Sequence, residues 1–355
     1  VPTTQQNRFF ELDSLRGLAA LGVMVFHFTI NENAAKLGWE FRYGVTGVDI
    51  FFIISGFVIF LSIQKVRKWQ DFAISRVARL YPTFWTCVFI TAAVVYVYQP
   101  EHLSWKLILA NLTMFPIYFG IENLDGVYWT LLVEMIFYLW ILGIFLMKGL
   151  GKIVPISIAF TTAVIAFHLG RAYYPVFYEY ITWKIQLLNH FPLFFSGILF
   201  YQLKFKSFTW QYVGLICLCM LAAFYLHDKG GRSMYHVTWF EHNVLILFYH
   251  LLFFLFVVDR LTFLITPPLL FLGKISYSLY LLHQYIGTWL IQSLNSKLDM
   301  NIYLAILVTI GFCIGLAYLV TRYVEIPAIR AIKLWYRVRY GRKLEEKNTA
   351  GAALP

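Results

Sequence analysis

The sequence predicts an all-α polytopic membrane bundle of about ten transmembrane helices, and three observations carry that reading. Hydrophobic residues fill 60% of the 355 positions and charged residues only 13%, about half the charged share of an ordinary soluble domain. Apolar runs near the bilayer-spanning length of about 20 residues recur along the chain. Lysine and arginine gather on alternate connections between those runs. A length that would otherwise suggest about two soluble domains therefore belongs in lipid. The formal charge of +11 has no soluble basic domain on which nucleic acid would sit, so no nucleic-acid partner is expected.

The runs fall at 15–31, 48–64, 81–99, 127–147, 153–170, 190–203, 210–227, 242–258, 274–293 and 302–322. An even number of spans puts both termini on one side. With the termini in the cytosol, 21 of the 29 basic residues face inward, and only Lys36, Arg42, Lys106, Arg171, Lys184, Lys229, Arg232 and Lys297 face outward. That asymmetry is the positive-inside pattern. A cleaved signal peptide is a weaker reading of the first run, because Glu11 and Asp13 interrupt its basic leader and no small-x-small site follows.

After the last run, Pro327 is expected to stop the helix. Residues 328–343 mix Arg330, Lys333, Arg337 and Arg339 with Leu334, Trp335 and Tyr336, the pattern of an amphipathic helix on the lipids of the inner leaflet; a disordered basic tail is the alternative. Residues 348–355 read as disordered. The plan is a transmembrane domain over 1–327 and a basic cytosolic tail over 328–355. Cys87, Cys217, Cys219 and Cys313 all lie in apolar runs without CxxC spacing, so neither disulfides nor a zinc site is expected.

Ionisable side chains inside spans are costly and are functional candidates by default. They are His27 in the first span, Asp49 at the outer entry of the second, Glu134 in the fourth, His250 in the eighth and His283 in the ninth. Arg16 and His27 are almost three turns apart, so they share a helix face about 16 Å apart along the axis. By the same rise, His283 lies about 13 Å above Lys274, and Glu134 about 10 Å below the outer end of its span. His27, His283 and Glu134 thus fall near one level. An imidazole beside a carboxylate suits general-base chemistry near neutral pH; helix-to-helix hydrogen bonds are the structural alternative. The remaining histidines, His102, His168, His190, His227, His236 and His242, lack regular ligand spacing, and no metal is expected.

On the inner side, Arg76 and Arg79 are three residues apart on one helical face just before Leu80-Tyr-Pro82 opens the third span. With Arg16 and Lys274 they suit a polyphosphate, since guanidinium binds phosphate oxygens in pairs; positive-inside anchoring explains the same residues.

Several separated segments resemble the acyltransferase-3 family of integral membrane acyltransferases. They are Leu12-Asp-Ser-Leu-Arg-Gly-Leu-Ala-Ala20 (with Asp13 and Arg16) followed by His27, Gly47-Val-Asp-Ile-Phe-Phe-Ile-Ile-Ser-Gly-Phe57, Arg76-Val-Ala-Arg-Leu-Tyr-Pro82, Trp129-Thr-Leu-Leu-Val-Glu-Met-Ile-Phe-Tyr138, Gly273-Lys-Ile-Ser-Tyr-Ser-Leu-Tyr-Leu-Leu-His283, and Glu325-Ile-Pro327. Together they span residues 10–327 in the family's order. The resemblance implies a ten-span domain that moves an acyl group, usually acetyl from cytosolic acetyl-CoA, onto a hydroxyl of a cell-envelope carbohydrate at the bacterial inner membrane.

It also implies that His27 is catalytic and that Arg16, Arg76 and Arg79 handle the donor; from their positions, Glu134 is expected to orient the imidazole or meet the sugar, and Lys274 to assist at the phosphates. Asp13, Asp49, Ser55, Trp129, Ser276, Tyr277, His283 and Glu325 fall within the matching motifs as substrate-contacting or supporting residues, as does Tyr138 one turn from Glu134. Where relatives carry a fused extracellular hydrolase-like domain, a chain without one implies that the carbohydrate enters the membrane domain or is served by a separate protein. A homo-oligomer or a polysaccharide-synthesis complex fits that picture. The rival from another class is a proton-coupled carrier or flippase of a lipid-linked sugar, with His27 and Glu134 as its relay; no convincing internal repeat accompanies it.

Overall fold

In a computed structural model, residues 8–230 and 232–351 are described, those from 340 onward by backbone alone. The described chain is helical, with no strand. Its helices are α1 (Phe10–Thr29), α2 (Glu32–Leu37), α3 (Gly47–Gln64), α4 (Trp69–Tyr98), α5 (Trp105–Leu112), α6 (Trp129–Leu146), α7 (Ile153–Leu169), α8 (Pro175–Lys184), α9 (Leu187–Phe205), α10 (Trp210–Leu226), α11 (Trp239–Val257), α12 (Pro267–Lys297), α13 (Ile302–Val320) and α14 (Ile326–Gly351).

Each of the ten apolar runs falls on one of these helices. By length and composition, six helical stretches of the described residues are able to cross a membrane: 42–64, 69–98, 126–146, 150–173, 239–257 and 302–339. Helix α10 is apolar but shorter. The other expected spans, α1, α9 and α12, carry the polar positions: Asp13, Arg16 and His27; Asn189, His190, Gln202 and Lys204; Ser276, Ser278, His283 and Gln284. Their place in the bundle explains the difference. Nearly every residue of α9 from Leu187 to Leu203 is buried, whereas α7 buries only Ile153, Ser157, Val164 and His168. A helix screened from lipid by its neighbours tolerates polar positions that a lipid-facing helix cannot.

Helix α1 packs along α12, and α3 along α9. Glycine makes both contacts close. A Cβ on Gly17 would lie 2.7 Å from the Gly273 nitrogen, and one on Gly273 would strike the Asp13 carbonyl. Gly56 and Gly197 meet the carbonyls of Phe194 and Ile53 in the same way. Backbone contact through small residues supplies the dispersion that holds helices together where lipid tails weaken the hydrophobic drive. His250 adds a polar tie: its Nε2 is 3.0 Å from Ser196 Oγ, joining α11 to α9.

Two boundaries differ from expectation. Helix α4 begins at Trp69, so the helical face expected for Arg76 and Arg79 and the apolar run at 81–99 form one continuous helix that encloses Pro82. A membrane helix absorbs the missing proline N–H when its neighbours re-satisfy the backbone. Pro327 does not stop the chain either. A π turn, Thr321–Glu325, leads directly into α14, with the Ile326 N–H bonded to the Thr321 carbonyl, and Pro327, which has no N–H to continue the ladder, follows at the junction where the helix changes its hydrogen-bond spacing. Of the tail expected to be disordered, the backbone of 348–351 belongs to α14. Residues 352–355 and the side chains of Arg342, Lys343 and Lys347 lie outside the described set.

Candidate active site

Two chambers adjoin within the bundle, with cavity volumes of about 90 Å³ and about 270 Å³. The first holds the cations of α1 and α4. Arg16, Arg76 and Arg79 line it together with Glu134, Ser55, Tyr138, Ser276 and Tyr277, over apolar walls from Val48, Phe51, Ile54 and Leu80. Among the described residues, none of the three guanidiniums has a carboxylate within 4.0 Å. Arg76 Nη2 donates to Ser62 Oγ and Ser75 Oγ, both at 3.2 Å, and its charge lies 5.7 Å from the Phe72 ring centroid and 5.9 Å from that of Tyr138. Its buried Nε has no hydrogen-bond partner.

The nearby acids are engaged elsewhere. Glu134 accepts hydrogen bonds from Ser55 Oγ at 2.9 Å and from the Tyr138 hydroxyl at 2.5 Å. Glu325 accepts from Ser278 Oγ at 3.4 Å. The chamber therefore presents three fixed positive charges with free donors, a donor set that fits the phosphates of a nucleotide.

The second chamber surrounds His27. Asp49, Trp129, His190, Arg232, His236, Gln284 and Asn31 also line it. Asp49 does not face His27 as an ion-pair partner; its Oδ2 lies 3.3 Å from His242 Nε2, with both side chains buried. Arg232 sits 5.1 Å over the Trp129 ring and donates to the Gly126 carbonyl at 3.2 Å. A broad aromatic face beside amide, imidazole and guanidinium donors suits a sugar. Val48 and Tyr280 line both chambers, so these two side chains form part of the wall between them. Tyr280 is fixed there by Thr130 Oγ1, which donates to its hydroxyl at 3.0 Å.

Behind His27 lies His283, fully buried, with ring centroids 5.2 Å apart. His283 Nδ1 is 2.8 Å from the Tyr280 carbonyl and 3.2 Å from that of Leu279. Both partners only accept, so Nδ1 carries the proton and Nε2 is left as an acceptor. That Nε2 has no hydrogen-bond partner.

The structure thus brings Arg16, Arg76, Arg79, Glu134, Ser55, Tyr138, Ser276 and Tyr277 to one chamber, and His27, Asp49 and Trp129 to the other. Several expectations change. Glu134 does not reach His27, because equal depth says nothing of which helix face a residue occupies; Ser55 and Tyr138 hold it among the arginines. Lys274 is exposed and lines neither chamber. Asp13 pairs with Arg8 at 2.6 Å. Ser276 and Tyr277 direct their hydroxyls at the carbonyls of Gly273 and Leu80.

Sequence reasoning missed Tyr280, Arg232, His236 and Gln284. A signal existed for Tyr280: Ser276, Tyr280 and His283 recur at the spacing of one helix face. Loop residues such as Arg232 carry no such period.

The family described as an acyltransferase domain, acyltransferase-3, matches residues 9–322. The chain belongs to that family. Its relatives include YrhL of Bacillus subtilis, named as a candidate peptidoglycan O-acetyltransferase, 27% identical over 43% of this chain and 27% of the relative. The exopolysaccharide production protein ExoZ of Rhizobium meliloti is 30% identical over 40% of this chain and 46% of its own. The peptidoglycan O-acetyltransferase OatA of Listeria monocytogenes is 29% identical over 39% and 24%. In each case less than half of the relative's length is covered. No solved structure matches. The chain is therefore a membrane acyltransferase-family protein whose relatives are named for peptidoglycan O-acetylation or exopolysaccharide production.

Proposed function

We propose that this chain transfers an acetyl or other short acyl group from cytosolic acyl-CoA to a hydroxyl of a cell-envelope carbohydrate. The observation that carries the proposal is the pair of adjoining chambers, one with three arginines free of carboxylate partners and one with His27 under an aromatic and polar lining. In this reading the donor phosphates rest on Arg76 and Arg79 with Arg16 assisting. The pantetheine arm follows the apolar wall to Tyr280 and Val48, which brings the thioester toward His27. The acceptor enters the second chamber against Trp129, as part of a polysaccharide, lipid-linked glycan or lipopolysaccharide.

His27 removes the proton from the acceptor hydroxyl as its oxygen attacks the thioester carbonyl; the carbon–sulfur bond breaks, and the departing thiolate takes up a proton to leave as free CoA. Transient acylation of the imidazole followed by transfer to the hydroxyl gives the same products. Positive charge from Arg232, beside His27 in the second chamber, suits the oxyanion that forms on the carbonyl.

The full reading has ten spans crossing a bacterial inner membrane, termini in the cytosol, and the arginine chamber open on that side. The distribution of 21 of 29 basic residues supports that orientation. The decisive experiment uses purified protein in vesicles with labelled acetyl-CoA and envelope glycan. Labelled glycan and free thiol should appear together, and His27→Ala should lower transfer by about 10²- to 10⁴-fold at equal protein abundance. Undiminished transfer in the variant removes His27 from the chemistry. Sugar movement without thiol release makes the protein a carrier.

A further inference from the structure

Helix α14 was expected to anchor the tail on the membrane surface, yet it packs against α4 beside the arginine chamber. The register between them is set by the Tyr336 hydroxyl, which donates to Asp71 Oδ1 at 2.7 Å. At the other end, the π turn containing Glu325 also lies against α4, and Glu325 is within electrostatic reach of Arg79 and Arg16. The two helices therefore run in opposite directions. From Asp71 to Arg76 is a rise of about 7.5 Å along α4, and from Tyr336 back to Lys333 about 4.5 Å along α14. This places Lys333 close to the level of Arg76.

Lys333 is half-buried. The charges that act on it are Arg76, Arg79 and Arg337, and among the described residues it has neither a carboxylate within 4.0 Å nor a hydrogen-bond partner. Glu134 and Glu325 offset part of the charge on the arginines, but like charges held together without a directly paired carboxylate still raise the energy of the empty protein, and an anion lowers it. An ammonium on its flexible stem contributes point charge where the guanidiniums contribute paired donors, a division that suits a group with several phosphates.

We infer that Lys333 of α14 is a further phosphate-binding residue, so that the tail helix completes the nucleotide end of the donor site instead of serving only as an anchor. The inference rests on the acyl-CoA reading of that chamber. The shared chemistry is a phosphate group, which either the donor or an anionic lipid headgroup supplies; half-burial beside chamber-lining arginines assigns it to the donor.

The test is steady-state transfer by full-length protein in vesicles of neutral phosphatidylcholine, with and without phosphatidylglycerol. Lys333→Gln should raise the KM for acetyl-CoA roughly tenfold with little change in kcat, and Lys333→Arg should restore most of the affinity. With acetyl-pantetheine, which has no phosphate, the wild type and Lys333→Gln should behave alike. An unchanged acetyl-CoA KM in Lys333→Gln overturns the assignment. An equal loss with acetyl-pantetheine assigns Lys333 to packing, and a defect confined to phosphatidylglycerol vesicles assigns it to the lipid; either outcome also overturns it. If the wild type neither binds nor consumes acetyl-CoA, the donor reading itself fails, which is a different result from a wild type that uses acetyl-CoA and a variant that matches it.

Discussion

His27 opens onto the second chamber with the His283 ring 5.2 Å behind it, and no carboxylate lies within 4.0 Å of its imidazole among the described residues. In a triad a carboxylate accepts from the catalytic imidazole; here the available acceptor is the bare Nε2 of a second imidazole whose Nδ1–H is committed to a backbone carbonyl. The two rings are in contact and not hydrogen-bonded in this structure, and a neutral acceptor at this position stabilises an imidazolium less than a carboxylate does. His283→Ala should therefore lower kcat by about 10- to 100-fold while leaving acetyl-CoA affinity unchanged, as equilibrium binding and turnover on the same preparation will show. For Glu134 the hydrogen bonds to Ser55 and Tyr138 place it in the arginine chamber, so in the proposed reading its effect falls on the donor. Glu134→Gln keeps the shape and removes a negative charge near the phosphates, so the KM for acetyl-CoA should hold or fall, while a role on the sugar would raise the KM for the acceptor instead.

Among the elements, α1 and α12 are the pair on which the site depends, since they bring Arg16, His27, Ser276, Tyr280 and His283 to the two chambers and their neighbourhood. Their approach requires Gly17 and Gly273, and that of α3 to α9 requires Gly56 and Gly197. A bulky side chain at Gly56 has only backbone carbonyl to displace. Gly56→Val should cost about 1–3 kcal/mol or more through overpacking, seen as a lowered unfolding midpoint in detergent, whereas Gly143→Val should be mild because a Cβ there meets nothing within 4 Å. Periodicity revealed these helices well, because lipid makes apolar length a physical requirement. It gave the start of α4 poorly: Asp71, Arg76 and Arg79 are polar, and only their docking against α14 and the arginine chamber gives a charged first half reason to be helical.

For the whole molecule, the proposed orientation puts residues 67 and 260 in the cytosol and residues 106 and 232 outside. Single cysteines introduced at these positions, in a background with the four native cysteines replaced, should react with a membrane-impermeant maleimide from opposite sides of sealed vesicles. Reaction of all four from one side would remove the ten-span arrangement. The sequence alone determined that the chain is an all-helical membrane protein, which residues interrupt its apolar runs, and which motifs mark it as a member of the acyltransferase-3 family. Those are properties of composition and of order along one dimension. Only the tertiary structure decided that Glu134 belongs with the arginines and not with His27, that His283 stands behind the imidazole, that Lys274 faces away, and that α14 packs against α4 with Lys333 near the level of Arg76. Depth in a bilayer follows from counting residues, but neighbourhood across helices depends on which faces pack together, and that is set here by glycine contacts and side-chain hydrogen bonds between segments far apart in the chain.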